Sequence, residues 1–471
     1  VARAEVSVSG TVTDEQSHQP VVGALVGVVG TSLHVTTDES GHFTVTAPRA
    51  ITRLVISRLG YARRVVDVTD PAAALAVELE VSALPMESVE VTGTALPKED
   101  LDRPQATGTL TPRDLKRGNG LELESAINEI PGVLMQSRTP FGGAHIQIRG
   151  YYPNFSQNSN GFGYQLFLEE IPVTDATGQT ILDDVDFTSL GQVEVIKGPT
   201  SSRYGSQIGG AVNFYTARPN AGEQTLAQQL VGGNDGLFRT NTTFASGGEH
   251  STVVMNYGHQ TYDSFRPNSR SKKDYARFTG DFEAGPRQKI SAYFSYNNSY
   301  EQLAGELDSL DFYNRQAIDN PVYLANASKI AIESQRLGFT HAYHFCDDLD
   351  ARTTLFSTTQ TMSQPFAHGF NDYNRFSFGA RSALGIRAAA GPSVQLEGSV
   401  GGLFQRTNYT VNGFFLPARR PSDQENYGMN YYAFTEWNAH FPADVVLTAG
   451  AALNFNEFGV RNMLKNNVVN D

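Results

Sequence analysis

Gln192-Val193-Glu194-Val195-Ile196-Lys197-Gly198-Pro199, followed by Arg203-Tyr204-Gly205 and Gly209-Gly210-Ala211-Val212-Asn213, decides how this chain reads. Val193 to Ile196 is a short strand: β-branched residues dominate it and the Gly198-Pro199 pair stops it. Small residues follow, and a second apolar strand runs from Ala211 to Tyr215. A buried strand that carries both Glu194 and Lys197 needs partners for them, since an unpaired charge in a core costs several kcal/mol, the scale of domain stability itself.

Upstream stand Ile130-Pro131-Gly132-Val133 and Ile146-Gln147-Ile148-Arg149-Gly150. In this order and spacing the wording resembles the plug domain of TonB-dependent outer-membrane receptors, which read "PGV", "IRG", "VEV-[IL]-[RK]-GP", "YG" and "GG-[AV]-[VI]-N". The resemblance implies that Arg149, Glu194 and Lys197 are buried charges facing a barrel wall, structural or gating rather than catalytic. A solvated ion pair is the alternative.

The bulk numbers agree with a large β-protein. Of 471 residues 40% are hydrophobic, 18% charged and 10% aromatic, with 44 glycines. No run of about 18 apolar residues offers a membrane helix, but barrel strands give a far weaker signal. The net charge of −13 argues against nucleic acid as a partner. A single cysteine, Cys346, excludes an intramolecular disulfide framework and a multi-cysteine metal site, and reads as an ordinary strand residue. Val1 to Glu5 lack an apolar signal core.

Residues 1–84 read as an immunoglobulin-like sandwich of about seven short strands. Val6 to Val12 alternates, Val21 to Val29 is a second apolar run, and Asp38 to Phe43 reads as a hairpin turn. Ile51 to Ser57 and Ala62 to Val68 add strands. The pattern resembles carboxypeptidase regulatory-like domains, without any zinc pair that a peptidase would need. Residues 85–97 hold Glu87-Ser88-Val89-Glu90-Val91-Thr92-Gly93, which looks like a TonB box. In the family that segment adds as a strand to the periplasmic protein TonB, itself working with ExbB/ExbD, because backbone hydrogen bonds supply the affinity. A plain linker strand is the alternative.

Residues 98–220 form the expected plug. Thr111 caps a helix with Pro112 in its first turn, and strands are expected at 133–135, 146–148 and 165–168. The loops Arg138 to Gly143 and Tyr151 to Gly163 are rich in Asn, Gly, Ser and aromatics. The resemblance makes Arg138, Tyr152, Asn154 and Gln157 ligand-binding candidates; loops without contacts are the alternative.

Residues 221–471 alternate over long runs: Ala276, Phe278, Gly280 and Phe282 interleave with Arg277, Thr279, Asp281 and Glu283. One apolar and one polar face is what a wall between lipid and a wet lumen requires. Short turns alternate with long connections at 262–274, 299–335, 359–374 and 405–427, the outer-membrane pattern. About eleven strands are expected, roughly half of the twenty-two in plugged transporters. An open sheet edge in lipid is prohibitive, so the other half of the barrel is expected outside this sequence. The fold class is thus mainly β: sandwich, α+β plug and half of a transmembrane barrel.

The resemblance implies an outer-membrane receptor of a Gram-negative bacterium, its N-terminal domain in the periplasm, importing a small extracellular ligand. Pro172 to Asp175 with Gly178, and Glu301 to Leu307, resemble ferric-citrate-type siderophore receptors. Arg266, Arg270, Arg315, Arg419 and Arg420, with Lys272 and Lys273, are loop cations suited to an anionic chelate. Scattered His259, His341, His344 and His368 lack ligand spacing, so no metal site or cofactor is expected and iron would arrive only inside its chelator. A glycan or peptide importer working with a surface lipoprotein, its aromatic loops 366–373 and 409–415 stacking on sugars, is the second reading. A signalling or adhesion receptor is the third. No Gly-x-Ser-x-Gly elbow, P-loop or zinc helix points to an enzyme.

Overall fold

A computed structural model describes residues 6–79 and 106–464 apart from short stretches, chiefly 29–33, 48–52, 116–122, 139–141, 152–162, 315–317 and 416–419. The TonB-box segment Glu87 to Gly93 lies outside the described residues. The chain divides into two compact units, Val1–Ser88 and Val89–Asp471.

Among the described residues the first unit has seven strands: β1 (Val6–Asp14), β2 (Leu25–Val28), β3 (His34–Thr36), β4 (His42–Ala47), β5 (Arg53–Ser57), β6 (Arg64–Asp67) and β7 (Leu75–Leu79). They form two sheets, β4-β1-β7 and β3-β2-β5-β6, around a core that includes Val8, Val12, Val26, Phe43, Leu54, Ile56 and Val77. The turn after Asp38 does not close a hairpin. Its carboxylate accepts from the Ser40 and His42 amides, each at 2.9 Å. It carries the chain across from β3 in one sheet to β4 in the other. There β4 pairs with β1, because Phe43, Val45 and Ala47 face the inter-sheet core.

In the second unit the plug comprises β8 (Ala106–Leu110), α1 (Pro112–Leu115), α2 (Glu124–Ile127), β9 (Val133–Gln136), β10 (His145–Ile148), β11 (Tyr164–Leu168), β12 (Ile171–Pro172), β13 (Leu190–Lys197), α3 (Ser201–Tyr204) and β14 (Gly210–Thr216). Thr111 and Asp114 cap α1 reciprocally: the Thr111 amide donates to Asp114 Oδ2 at 3.0 Å and the Asp114 amide to Thr111 Oγ1 at 3.4 Å. A mixed sheet β12-β11-β14-β13-β8 places the deciding strand β13 between β14 and β8.

The paired glycines before β14 have a steric cause. A Cβ on Gly209 would stand 2.6 Å from the Gly163 carbonyl oxygen, and one on Gly210, at φ +132°, only 1.9 Å from that of Ile196.

The remaining strands make one antiparallel sheet in chain order. They are β15 (Gln224–Gly232), β16 (Phe238–Gly247), β17 (Ser251–Tyr262), β18 (Ser271–Glu283), β19 (Gln288–Gln302), β20 (Lys329–Cys346), β21 (Leu349–Phe366), β22 (Gly369–Ala389), β23 (Gln395–Phe415), β24 (Arg420–Phe441) and β25 (Val445–Asn462). The eleven strands match the number expected from the alternation.

The two faces of this sheet are inverted relative to a soluble sandwich. Arg239, Asn256, Arg277, Arg336, Gln405 and Thr407 are buried on the plug side, while Leu226, Leu230, Leu355, Leu447 and Leu453 are more than half exposed on the other.

Two expected long connections are instead paired backbone. β21 and β22 stay in register up to Phe366 opposite Gly369, and β23 and β24 up to Phe415 opposite Arg420. Alternation continues through these extensions, with Tyr373, Tyr409 and Val411 turned inward as a small cluster, so the backbone keeps its ladder. The 303–328 connection is a true loop with two capped helical turns, α4 (Ser309–Tyr313) and α5 (Pro321–Ala325).

Gly210→Ala is expected to destabilise the β13–β14 pairing by about 2–4 kcal/mol, since neither backbone can yield. Urea unfolding of the purified variant checks this; a midpoint equal to the parent protein's would exclude the steric role.

Candidate functional site

The candidate site is the boundary between the plug and the inner wall. It is built by two plug segments, a hairpin turn and a strap.

The turn is Glu169-Glu170, between β11 and β12. Both residues are left-handed, at φ 52° and 66°. A two-residue turn of this kind ordinarily uses Asn-Gly, so a Glu-Glu pair is strained and must be held by its surroundings. Ion pairs hold it. Glu169 accepts from the Thr216 amide at 2.6 Å and pairs with Arg218 at 3.0 Å, and Arg218 reaches Asp281 on β18 at 3.0 Å. Glu170 meets Arg352 on β21 and Arg381 on β22. Burial pushes the Glu170 carboxyl up, but Arg352 and then Arg381 outweigh it and hold the group below the usual carboxylate range. The Arg381 guanidinium also lies over the rings of Phe167 and Tyr204, at 5.1 and 5.6 Å.

The strap runs from Thr174 to Ser189. Asp175 folds it locally, accepting from the Thr177 amide at 2.8 Å and the Gln179 amide at 3.1 Å, and pairs with Arg375 of β22 at 3.4 Å. Asp183 accepts from the Gly143 amide at 2.6 Å, joining the strap to the Arg138 loop. Asp184 pairs with Arg336 of β20 at 3.2 Å. Lys273 of β18 donates to the Val185 carbonyl at 2.8 Å, and Arg277 to the Asp186 carbonyl at 2.8 Å. Nearer α3, Arg203 pairs with Glu436 of β24 at 2.8 Å and its carbonyl accepts from the Tyr432 hydroxyl at 3.0 Å. The wall thus supplies mainly cations, and the turn and strap supply acids.

Of the three plug charges expected to be buried, only Glu194 is; Lys197 is half-buried and Arg149 exposed, and the three do not form one cluster. Glu194 is fully buried, bonded by Gln192 at 3.0 Å and Asn213 at 3.3 Å within the plug. Lys197 donates to the Pro131 carbonyl at 3.2 Å, and the Arg149 amide donates to Gly132 at 2.7 Å, so these two share the Pro131-Gly132 turn.

Among the ligand candidates, Arg138 pairs with Glu301 at 3.0 Å. Arg266 binds the carbonyls of Ile318, Ala304 and Gly305 at 2.9–3.2 Å, and Arg270 pairs with Asp263 at 2.8 Å. Lys272 pairs with Asp274 at 3.1 Å. Tyr152, Asn154, Gln157, Arg315 and Arg419 lie outside the described residues, as does the side chain of Arg420.

Sequence reading missed the Glu169-Glu170 turn and the Asp183-Asp184-Asp186 strap. The signal was available for the first, because two acids occupy a tight-turn position between apolar runs.

Comparison with known proteins follows the same division. Residues 8–91 match the CarboxypepD_reg-like domain model and residues 99–212 the TonB-dependent Receptor Plug Domain model. A curated relative, the vitamin B12 transporter BtuB of Vibrio vulnificus (strain CMCP6), is 25% identical over 252 residues, 46% of this chain and 40% of that protein. The ferric citrate transporter FecA in its unliganded form is structurally similar, with a TM-score of 0.66 at 14% identity over 77% of this chain and 58% of that one. BauA, the ferric preacinetobactin receptor of Acinetobacter baumannii, gives 0.62 at 14% identity over 80% and 61%. The chain therefore spans only about half the length of the relatives it matches.

Arg336→Ala leaves Asp184 buried without its ion-pair partner and with only the 3.4 Å contact from Gln360, a loss of about 3–5 kcal/mol. Hydrogen exchange across residues 182–190 should then accelerate markedly while β8 and β14 stay protected; an unchanged rate would deny the strap its anchor. The lowered Glu170 carboxyl predicts pairing that is complete above the ordinary carboxylate pKa and lost as the pH falls through the lower folded value. Exchange of the β11–β12 turn should rise in acid in the parent protein, and Glu170→Gln should abolish that acid step.

Residues 8–91 carry a carboxypeptidase regulatory-like domain and residues 99–212 a TonB-dependent receptor plug domain, and within the second unit that plug lies against an eleven-stranded sheet with the fold of the ferric citrate transporter FecA.

Proposed function

We propose that this chain is part of an outer-membrane import receptor of a Gram-negative bacterium. Its cargo is a small anionic chelate, a ferric siderophore or a ferric-citrate-like complex. One observation carries the anionic cargo: the inner wall is lined with the buried cations Arg239, Lys273, Arg277, Arg336 and Arg375 and the partly buried Arg381. Plug acids neutralise several of them. When the plug moves, a desolvated row of guanidinium groups faces the passage, and it favours carboxylate or catecholate oxygens over neutral solutes. The energy comes from TonB, with ExbB/ExbD, pulling on Glu87 to Gly93 from the periplasm, where the N-terminal unit resides. The protein makes and breaks no covalent bonds.

The likeness to a vitamin B12 transporter supports a second reading, a corrinoid cargo. A corrinoid is bulky and close to neutral, so it gains little from the arginine row.

Uptake by cells carrying the full-length gene separates the two. Radiolabelled ferric citrate and ferric siderophores are expected to accumulate, and deletion of residues 87–93 should abolish the accumulation. Accumulation of cyanocobalamin without any ferric chelate would overturn the anionic reading while keeping the transporter.

A further inference from the structure

A second cationic site lies at the opposite end of the inner wall from the long loop. The short turns β18–β19 and β20–β21 come together there with the last residues of β22, and between them opens a cavity of about 470 Å³. Register places Glu283, Lys289, Ala342, Arg352 and Ala383 side by side across five strands. This is the row that faces the plug side, because Arg352 meets Glu170 there and Lys289 meets Asp281 at 3.3 Å. Arg287, His344, Asp350 and Arg387 complete the rim.

Four cations therefore converge on one cavity. The paired ones keep open faces: the side chains of Lys289, Arg352 and Arg387 remain 51%, 38% and 39% exposed. Asp350 is already engaged, by His344 at 2.7 Å and by Arg387 at 3.7 Å. Arg387 is further held by donating to the Asp347 carbonyl at 2.7 Å. Glu283 pairs with His250 at 2.9 Å. The guanidinium of Arg287 meets no acid among the described residues, and the turn is braced where the His344 amide donates to the Arg287 carbonyl at 2.8 Å.

We propose that this cavity binds a small multivalent anion bearing carboxylate or phosphate groups. Arg287 and Lys289 are its principal contacts, and Arg352 and Arg387 form its back wall. Guanidinium and ammonium groups with free N–H donors, spaced around a concave surface, match such an anion better than any neutral ligand. All the lining strands lie in the interior of the sheet, so the site does not depend on strands beyond β25. The assignment rests on this cavity alone and not on the transport reading.

Titration calorimetry of the full-length protein in detergent micelles at low salt tests it, with citrate, pyrophosphate and ferric citrate as separate probes. One saturable site is expected for citrate or pyrophosphate, weakened about tenfold or more by Arg287→Ala combined with Lys289→Ala and by raised salt. Arg461→Ala, at the far end of β25 and paired with Glu425, should leave it unchanged. Lys289→Arg, which keeps the charge, should retain binding and guards against misfolding of the double variant. Citrate competing with ferric citrate for the site would mean that departing cargo can occupy it; binding of the free anions alone would mean a resident anion, and each supports the site. No binding of any probe, or binding that survives the double variant, overturns the proposal.

Discussion

Everything in the second unit depends on a desolvation constraint. Arg277, Arg336 and Arg375 sit on an inner wall from which the plug excludes water. A guanidinium cannot be left unpaired in such a place without a cost comparable to domain stability. The plug meets that requirement with the Glu169-Glu170 turn and the carboxylates of the Thr174–Ser189 strap. Plug and wall are therefore partners in charge as well as in shape. The strain of two consecutive left-handed glutamates is tolerable because ion pairs to three arginines over-determine the turn.

The same constraint sets how the plug is held against the wall. Hydrophobic contacts do occur, as where Phe167 and Ile196 meet Leu403, Tyr432 and Phe434. The strap, by contrast, is tied to the wall by ion pairs and carbonyl contacts at single points. Such contacts are exchangeable: an arriving anion or water can take the place of a carboxylate at a guanidinium, whereas an apolar contact has no substitute partner.

The cationic wall and the cavity at the short-turn end suggest one electrostatic design over the height of the sheet. Cations neutralised by plug acids occupy the middle, and the rim carries Arg287, which meets no acid among the described residues. The net charge of −13 conceals this, because the acids are spread over both units and the solvent surface.

What sequence alone determined was whatever local chemistry imposes. Alternation over long runs specified strands, their number and which face is apolar, because a period of two leaves no other arrangement. The Gly209-Gly210 pair and the Thr111 cap were legible for the same reason: a missing Cβ or a side-chain acceptor acts on its own neighbours. Tertiary structure decided the rest. Asp38 to Phe43 reads as a hairpin, but burial of Phe43 between sheets sends the chain across instead. Residues 359–374 and 405–427 read as loops, yet cross-strand pairing extends the ladders through them. Glu194 and Lys197 share one strand and both read as buried charges that need partners, but only the fold shows that those partners are separate. Arg336 with Asp184, 152 positions apart, could be joined only by the folded chain, because no local pattern records which distant charge a buried group will meet.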